Sequence, residues 1–191
     1  VRAAIVLAAG RSSRFGRADK MFAPLRGVPL LVHAVRAARA APAARVLIAT
    51  TQPARVRAVL RRHAVPGVHA VPVAEASAPL STSLRVAIAA LRPIERDVFI
   101  FLGDMPDVDR EAAARLVRRG WRGYAAVRPR HRGLPGHPVF VRNVRGRTLG
   151  TGDAGFRIER QAMGWIQGGP GSIRDVDRRG DLRRAAATTR R

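Results

Sequence analysis

The chain carries 36 Lys and Arg residues, and one of them alone is a lysine, Lys20. A sequence so biased toward arginine keeps a lysine where a compact ammonium is needed instead of a planar guanidinium fork, as against a single phosphate oxygen. Lys20 closes the segment Leu7-Ala8-Ala9-Gly10-Arg11-Ser12-Ser13-Arg14-Phe15-Gly16-Arg17-Ala18-Asp19-Lys20. Gly10 and Gly16 bracket a turn in which backbone N–H groups approach an anion closely, and Ser12 and Ser13 add hydroxyl donors. Arg11, Arg14, Arg17 and Lys20 place positive charge above that cradle. A plain turn with solvated arginines is the simpler alternative. The segment is neither of two familiar phosphate loops. A P-loop needs Lys directly after its second glycine, and a dinucleotide fold needs G-x-G-x-x-G.

The thirteen acids are few enough to be read one by one. Asp104 ends the apolar run Val98-Phe99-Ile100-Phe101-Leu102-Gly103, which places it at the carboxyl end of a buried strand. A carboxylate there suits Mg²⁺, which takes one or two protein carboxylates plus phosphate oxygens. The competing role is a helix cap, for which Asp107 and Asp109 are better placed. Asp175 and Asp177 have the period-two spacing that turns two side chains to one face of a strand, so one of them could complete a metal site opposite Asp104. Helix capping competes here as well.

Positioning these groups needs a parallel sheet. Short apolar runs at 3–8, 45–49, 68–73, 98–102 and 125–127 predict strands. Helical patterns at 29–41, 53–63, 81–91 and 110–119 separate them. That alternation predicts an α/β fold: a Rossmann-like three-layer α/β/α arrangement with a mostly parallel sheet covered on both faces. Ligands then bind at the carboxyl edge, where the glycine loop and Asp104 both fall. Beyond residue 128 the spacing becomes irregular. It predicts a strand at 138–141, a helix at 152–162, a strand at 172–176 and a frayed basic tail at 183–191.

Length and composition narrow the classes. The 191 residues fit one domain, residues 1–191, with 47% hydrophobic content. No apolar run approaches the ~20 residues of a membrane span, so no membrane partner is expected. The chain has no Cys, hence no disulfide framework or thiolate metal site, and a cytoplasmic setting is the expectation. The net charge of +23 suggests nucleic acid, but the arginines are scattered over helix faces and aromatics are only 5%. The excess reads as a solvated arginine-rich surface that also attracts anionic substrates or an acidic protein partner.

The loop resembles the L-x-[AG]-G-x-x-x-R-x-G-x-x-K signature of MobA-like nucleotidyltransferases, with one extra residue before Lys20. Gly103-Asp104-Met105-Pro106 resembles the G-D-M-P motif of the molybdenum cofactor cytidylyltransferase (MocA-like) branch. The segment 133–140 resembles that branch's P-x-G-H-P stretch, Gly152-Asp153-Ala154-Gly155 its G-D-x-G turn, and Asp175-Val176-Asp177 its terminal D-[IV]-D. In the last of these, Arg178-Arg179 stands in place of Thr-Pro.

The resemblance implies a Mg²⁺-dependent enzyme that transfers CMP from CTP to the phosphate of a molybdopterin-type cofactor and releases pyrophosphate. An acidic Mo-hydroxylase would be its client. Residues 1–128 would bind the nucleotide, and 129–182 the acceptor while completing the metal site. Arg14, Lys20 and Asp104 are then the catalytic residues, and Asp104 and Asp177 the metal ligands. Leu7, Ala8, Ala9, Gly10, Arg11, Ser12, Ser13, Arg14, Lys20, Ser81 and Ser83 would contact the nucleotide, and Gly136 and His137 the acceptor. Relatives that use GTP commonly carry Gly where this chain has Ala9, so a methyl beside the base points to CTP. Four alternatives remain at this stage: GTP as donor, a sugar phosphate or another phosphorylated metabolite as acceptor, a chaperone that holds the cofactor without catalysis, or a basic nucleic-acid-binding protein. For Ser81 and Ser83, simple capping competes; for His137, simple packing does.

Overall fold

The computed structural model describes residues 1–10, 15, 19–74, 79–120, 122–152 and 155–187. Ten strands are formed: β1 (Arg2–Leu7), β2 (Pro24–Leu25), β3 (Val28–Pro29), β4 (Arg45–Thr50), β5 (Val68–Pro72), β6 (Asp97–Leu102), β7 (Ala126–His131), β8 (Leu134–Pro135), β9 (Val139–Val141) and β10 (Met163–Gln167). The α-helices are α1 (Leu30–Arg39), α2 (Pro53–Arg62), α3 (Leu80–Ala89), α4 (Ala112–Gly120) and α5 (Arg179–Ala187).

The main sheet runs β10-β7-β9-β6-β1-β4-β5, with β8 paired to β7. Strands β6, β1, β4 and β5 are parallel neighbours, as are β10 and β7. Only β9 and β8 run against their neighbours. The three central strands are continuous apolar runs because both faces are covered. Val6, Ile48, Phe99 and Phe101 lie in one apolar layer with Leu31, Val35, Leu60 and Leu116 of α1, α2 and α4. Ile5, Leu47 and Ile100 lie in the other with Leu84 and Ala87 of α3. The expected α/β/α layering is therefore present. The rings of Phe99 and Phe140, 4.9 Å apart between centroids, tie β9 to β6.

The second half departs from expectation in four places. Of the described residues in 152–162, none is α-helical: Gly152 at φ +61° turns the chain, and Phe156 bridges back to Leu149. The segment then enters β10, whose Gly164 is needed because a Cβ there would come within 2.7 Å of the Tyr124 ring. The strand expected at 172–176 is a 3₁₀ turn (Pro170–Ser172) followed by irregular chain without a ladder. Gly171 packs so tightly that a Cβ would lie 1.9 Å from the Asp107 carbonyl oxygen. Residues 183–187, expected to fray, continue α5, with Ala185 fully buried. β7 is also longer than expected. It runs into β8 through Arg132 and Gly133, both at positive φ, the geometry of a tight hairpin.

These departures build the site. Phe15, Leu25, Leu30, Val176 and Ala185 form a small third cluster that packs the carboxyl-terminal segment beside the turn carrying Lys20.

Candidate active site

Lys20 opens a 3₁₀ turn, Lys20–Phe22, capped by the Asp19 carboxylate accepting from the Met21 N–H at 3.0 Å. Asp19 is fixed in turn by Gln52 and, at 3.8 Å, by Arg55. The backbone of Lys20 is therefore set by its neighbours, while the ammonium reaches across to other segments. Its Nζ donates to Asp104 Oδ2 at 2.8 Å and to Asp177 Oδ1 at 3.3 Å, with only 8% of the side chain exposed.

Asp104 stands two residues beyond the end of β6, where the sequence placed it. Gly103 permits a close approach, but of protein: a Cβ would come within 3.0 Å of Met21 Sδ and 3.2 Å of the Leu7 carbonyl oxygen. The Gly103 N–H donates to that oxygen at 2.9 Å, which locks the ends of β1 and β6 together. The helix-cap role belongs to Asp109, whose carboxylate accepts from the Glu111 N–H and pairs with Arg115. Asp107 is engaged by Arg26 at 3.1 Å.

The carboxyl-terminal segment is tied to the end of β6 by a backbone bond from the Val176 N–H to the Asp104 carbonyl oxygen at 3.0 Å. With Val176 buried, Asp175 and Asp177 fall on the Asp104 side. Carboxylate oxygens of Asp104, Asp175 and Asp177 all lie within 4.8 Å of one another. Asp181 takes the capping work at the start of α5, accepting from the N–H groups of Asp177 and Arg178. Both members of the Asp-x-Asp pair therefore join Asp104, where the sequence reading asked for one. The spacing was the signal; the strand thought to carry it is absent.

The electrostatics follow from this crowding. Burial works against the Lys20 charge, but Asp104 and then Asp177 more than offset it and raise the ammonium above its ordinary pKa. The Asp175 carboxyl is pushed up by burial, then by the charges of Asp177 and Asp104, with Lys20 drawing it partly back. Three hard oxygen donors so close together, two of them shared with a single ammonium, fit a divalent cation of the Mg²⁺ or Mn²⁺ kind.

The remaining sequence assignments divide. Arg11, Ser12, Ser13 and Arg14 lie outside the described residues. Leu7 and Ala8 lead from β1 to the open edge, with the Ala8 N–H donating to the Ala49 carbonyl oxygen at 2.9 Å. Gly10 is exposed, and among the described residues a Cβ there would meet nothing within 4 Å. Ala9 is 2% exposed and packs in the apolar cluster that holds Leu84 and Ala87 of α3. Ser81 and Ser83 occupy the first turn of α3 and are nearly fully buried, with the Ser81 N–H donating to the Gly152 carbonyl oxygen.

Gly136 and His137 are packed against the 170–172 turn, where the His137 N–H donates to the Ser172 carbonyl oxygen at 2.7 Å. A Cβ on Gly136 would sit 2.4 Å from that same oxygen, so this glycine serves packing. Burial, followed by the positive charge of Arg128, lowers the His137 pKa to about 4, against an upward pull from the Ile100 carbonyl. The unfolded chain binds this proton near pH 6.5 and the folded chain only near 4, so stability is complete above pH 6.5 and declines as pH falls toward 4. A series of unfolding midpoints from pH 7.5 to 4.5 should show that decline. It should flatten in His137→Gln; an unchanged slope in the variant would assign the effect to other groups.

The family model for the MobA-like NTP transferase domain matches residues 4–163. The chain belongs to that family. Among curated proteins, it is 37% identical over 160 residues to the 2-C-methyl-D-erythritol 4-phosphate cytidylyltransferase of Cereibacter sphaeroides, a match covering 79% of this chain and 66% of that protein. The chain thus spans just under two thirds of that relative. Among solved structures, Rv0371c of Mycobacterium tuberculosis superposes with a TM-score of 0.77 at 26% identity, covering 97% of each chain. A complex of the same mycobacterial protein with manganese gives a TM-score of 0.76 at 26% identity, covering 98% of each. Among the described residues, no helix is long and apolar enough to cross a membrane.

Proposed function

We propose that this protein is a divalent-cation-dependent cytidylyltransferase, moving CMP from CTP onto the phosphate of a small acceptor. The observation that carries this reading is the meeting of Lys20 with Asp104, Asp175 and Asp177 at the carboxyl edge, beside the Leu7–Gly10 exit of β1. The cytidylyltransferase name of the 37% identical relative supports CTP, the donor to which the Ala9 methyl also points. The manganese complex of the mycobacterial relative supports the divalent cation.

In the proposed reaction, a phosphate oxygen of the acceptor attacks the α-phosphorus of CTP in line. The bond from the α-phosphorus to the bridging β-oxygen breaks, and pyrophosphate leaves as the new diphosphate bond forms. Such a transfer depends on positioning and charge neutralisation more than on covalent chemistry. Lys20, with Arg14 from the loop, holds phosphate oxygens and stabilises charge that builds on the leaving group. Residues 7–14 surround the triphosphate, and Ser81 and Ser83 support that wall from α3. Asp104 and Asp177, joined by Asp175, would hold Mg²⁺, which neutralises phosphate charge when bound. The nucleotide then belongs to residues 1–128 and the acceptor to 129–182.

For the acceptor, the G-D-M-P and G-H-P resemblances favour a molybdopterin-type cofactor, delivered afterward to an acidic Mo-hydroxylase. The Cereibacter relative's name supports 2-C-methyl-D-erythritol 4-phosphate as the competing acceptor. Pyrophosphate release from CTP and Mg²⁺ with each acceptor in turn is the test. Release with the molybdopterin-type acceptor is expected. Release only with the erythritol phosphate would overturn the acceptor, and release only from GTP would overturn the donor.

A further inference from the structure

A cavity of about 230 Å³ lies between α3 and the sheet, away from the carboxylates. Leu84, Ile100, Val139, Phe156 and Met163 wall it with hydrocarbon. Arg128 and His137 are the only polar side chains lining it among the described residues. Leu7 and Leu102, the last residues of β1 and β6, also line it, so it abuts the edge where Ala8–Gly10 and Asp104 begin.

Arg128 is the unexplained group. Its Nε donates to the Gly136 carbonyl oxygen at 3.0 Å, but among the described residues no carboxylate pairs with its guanidinium. The other ion pairs of this region go elsewhere: Asp109 is taken by Arg115 and Asp107 by Arg26. His137 gives no counter-charge, since an imidazole is neutral or positive and never negative. A half-buried guanidinium whose fork meets no carboxylate among the described residues is suited to an oxyanion ligand, which it can bind in bidentate fashion.

We propose that this cavity is the acceptor pocket and that Arg128 is its anion receptor. The acceptor class is a phosphate carried on a compact, flat ring system that turns its faces to the hydrocarbon walls and its polar edge toward the open side. A sugar or polyol phosphate is disfavoured, because the walls offer no side-chain hydroxyl, amide or carboxylate to its hydroxyl groups. The assignment to the acceptor rests on the cytidylyltransferase reading. The pocket's ligand chemistry can be tested without it.

Titration calorimetry would use phenyl phosphate and benzoate as probes, with inorganic phosphate and phenol as the two halves of the first probe. The wild-type protein should bind phenyl phosphate at least 10-fold more tightly than either half. Tighter binding of benzoate than of phenyl phosphate would assign the receptor to carboxylates. Arg128→Met, which keeps the apolar stem, should lose at least 10-fold for phenyl phosphate, with Arg128→Lys recovering part of it. In the transfer assay, phenyl phosphate should raise the KM for the acceptor and leave that for CTP unchanged. Equal affinity for phenyl phosphate and inorganic phosphate in the wild-type protein would overturn the pocket, whether or not the variants fold. Equal affinity in a folded Arg128→Met would overturn the receptor. CTP binding with Mg²⁺ is measured on the same samples. If it is absent while phenyl phosphate binds through Arg128, the cytidylyltransferase reading fails and the pocket stands.

Discussion

Lys20→Ala is expected to lower nucleotidyl transfer by about 10²–10³-fold, the range for losing one charge-stabilising donor, while the far-UV circular dichroism is kept. The expectation follows from where the ammonium sits. It is buried, it touches Asp104 and Asp177 on two separate segments, and those carboxylates hold its proton firmly. Removing it leaves three carboxylates within 4.8 Å of one another without their shared cation. Lys20→Arg is the sharper variant. A guanidinium is longer and planar, and it cannot take the Nζ position without parting Asp104 from Asp177, so at least a 10-fold loss is expected even though the charge is retained. Steady-state kinetics on both variants checks this. Wild-type rates in Lys20→Arg would mean that the single lysine of an arginine-rich chain is accidental.

Asp104→Asn is expected to cost about as much, and in a different way. The substitution preserves shape and the backbone bond to Val176, but it removes the carboxylate nearest Lys20 and one of three clustered oxygen donors. Transfer should fall by about 10³-fold, the magnitude typical of losing a central electrostatic group, and binding of CTP should lose its dependence on Mg²⁺. Manganese binding followed by electron paramagnetic resonance reads the second effect directly. A variant that still binds Mn²⁺ as the wild-type protein does would move the metal site away from Asp104.

The legible parts of the chain are those where one physical pressure acts alone. β1, β4 and β6 are buried on both faces, so their sequences are unbroken apolar runs. The residue after such a run at the carboxyl edge, Asp104, could be singled out on that ground. Lys20 was legible as an exception to composition. Asp175 and Asp177 were legible as a pair by spacing, yet not as a pair tied to β6 by a backbone bond, because Val176 owes its position to Phe15, Leu25 and Leu30 far away in the sequence.

The region from 150 to 167 misled for a related reason. Phe156 and Ile158 cover the cavity from the segment after the turn at Gly152; their spacing of two is a strand's, but the glycine turn at 152–155 resembled the opening of a helix. Glycines 136, 164 and 171 are required by contacts with Ser172, Tyr124 and Asp107, which no local pattern announces. Arg128 was one arginine among thirty-five until the cavity set it apart.

The measurement that reaches the centre of this reading is calorimetric titration of CTP into the wild-type protein, with and without Mg²⁺, with GTP in parallel. Lys20 and the three carboxylates acting together require that CTP bind at least 10-fold more tightly when Mg²⁺ is present, and more tightly than GTP. Binding of CTP that ignores Mg²⁺, or no binding of either nucleotide with the metal present, would contradict it.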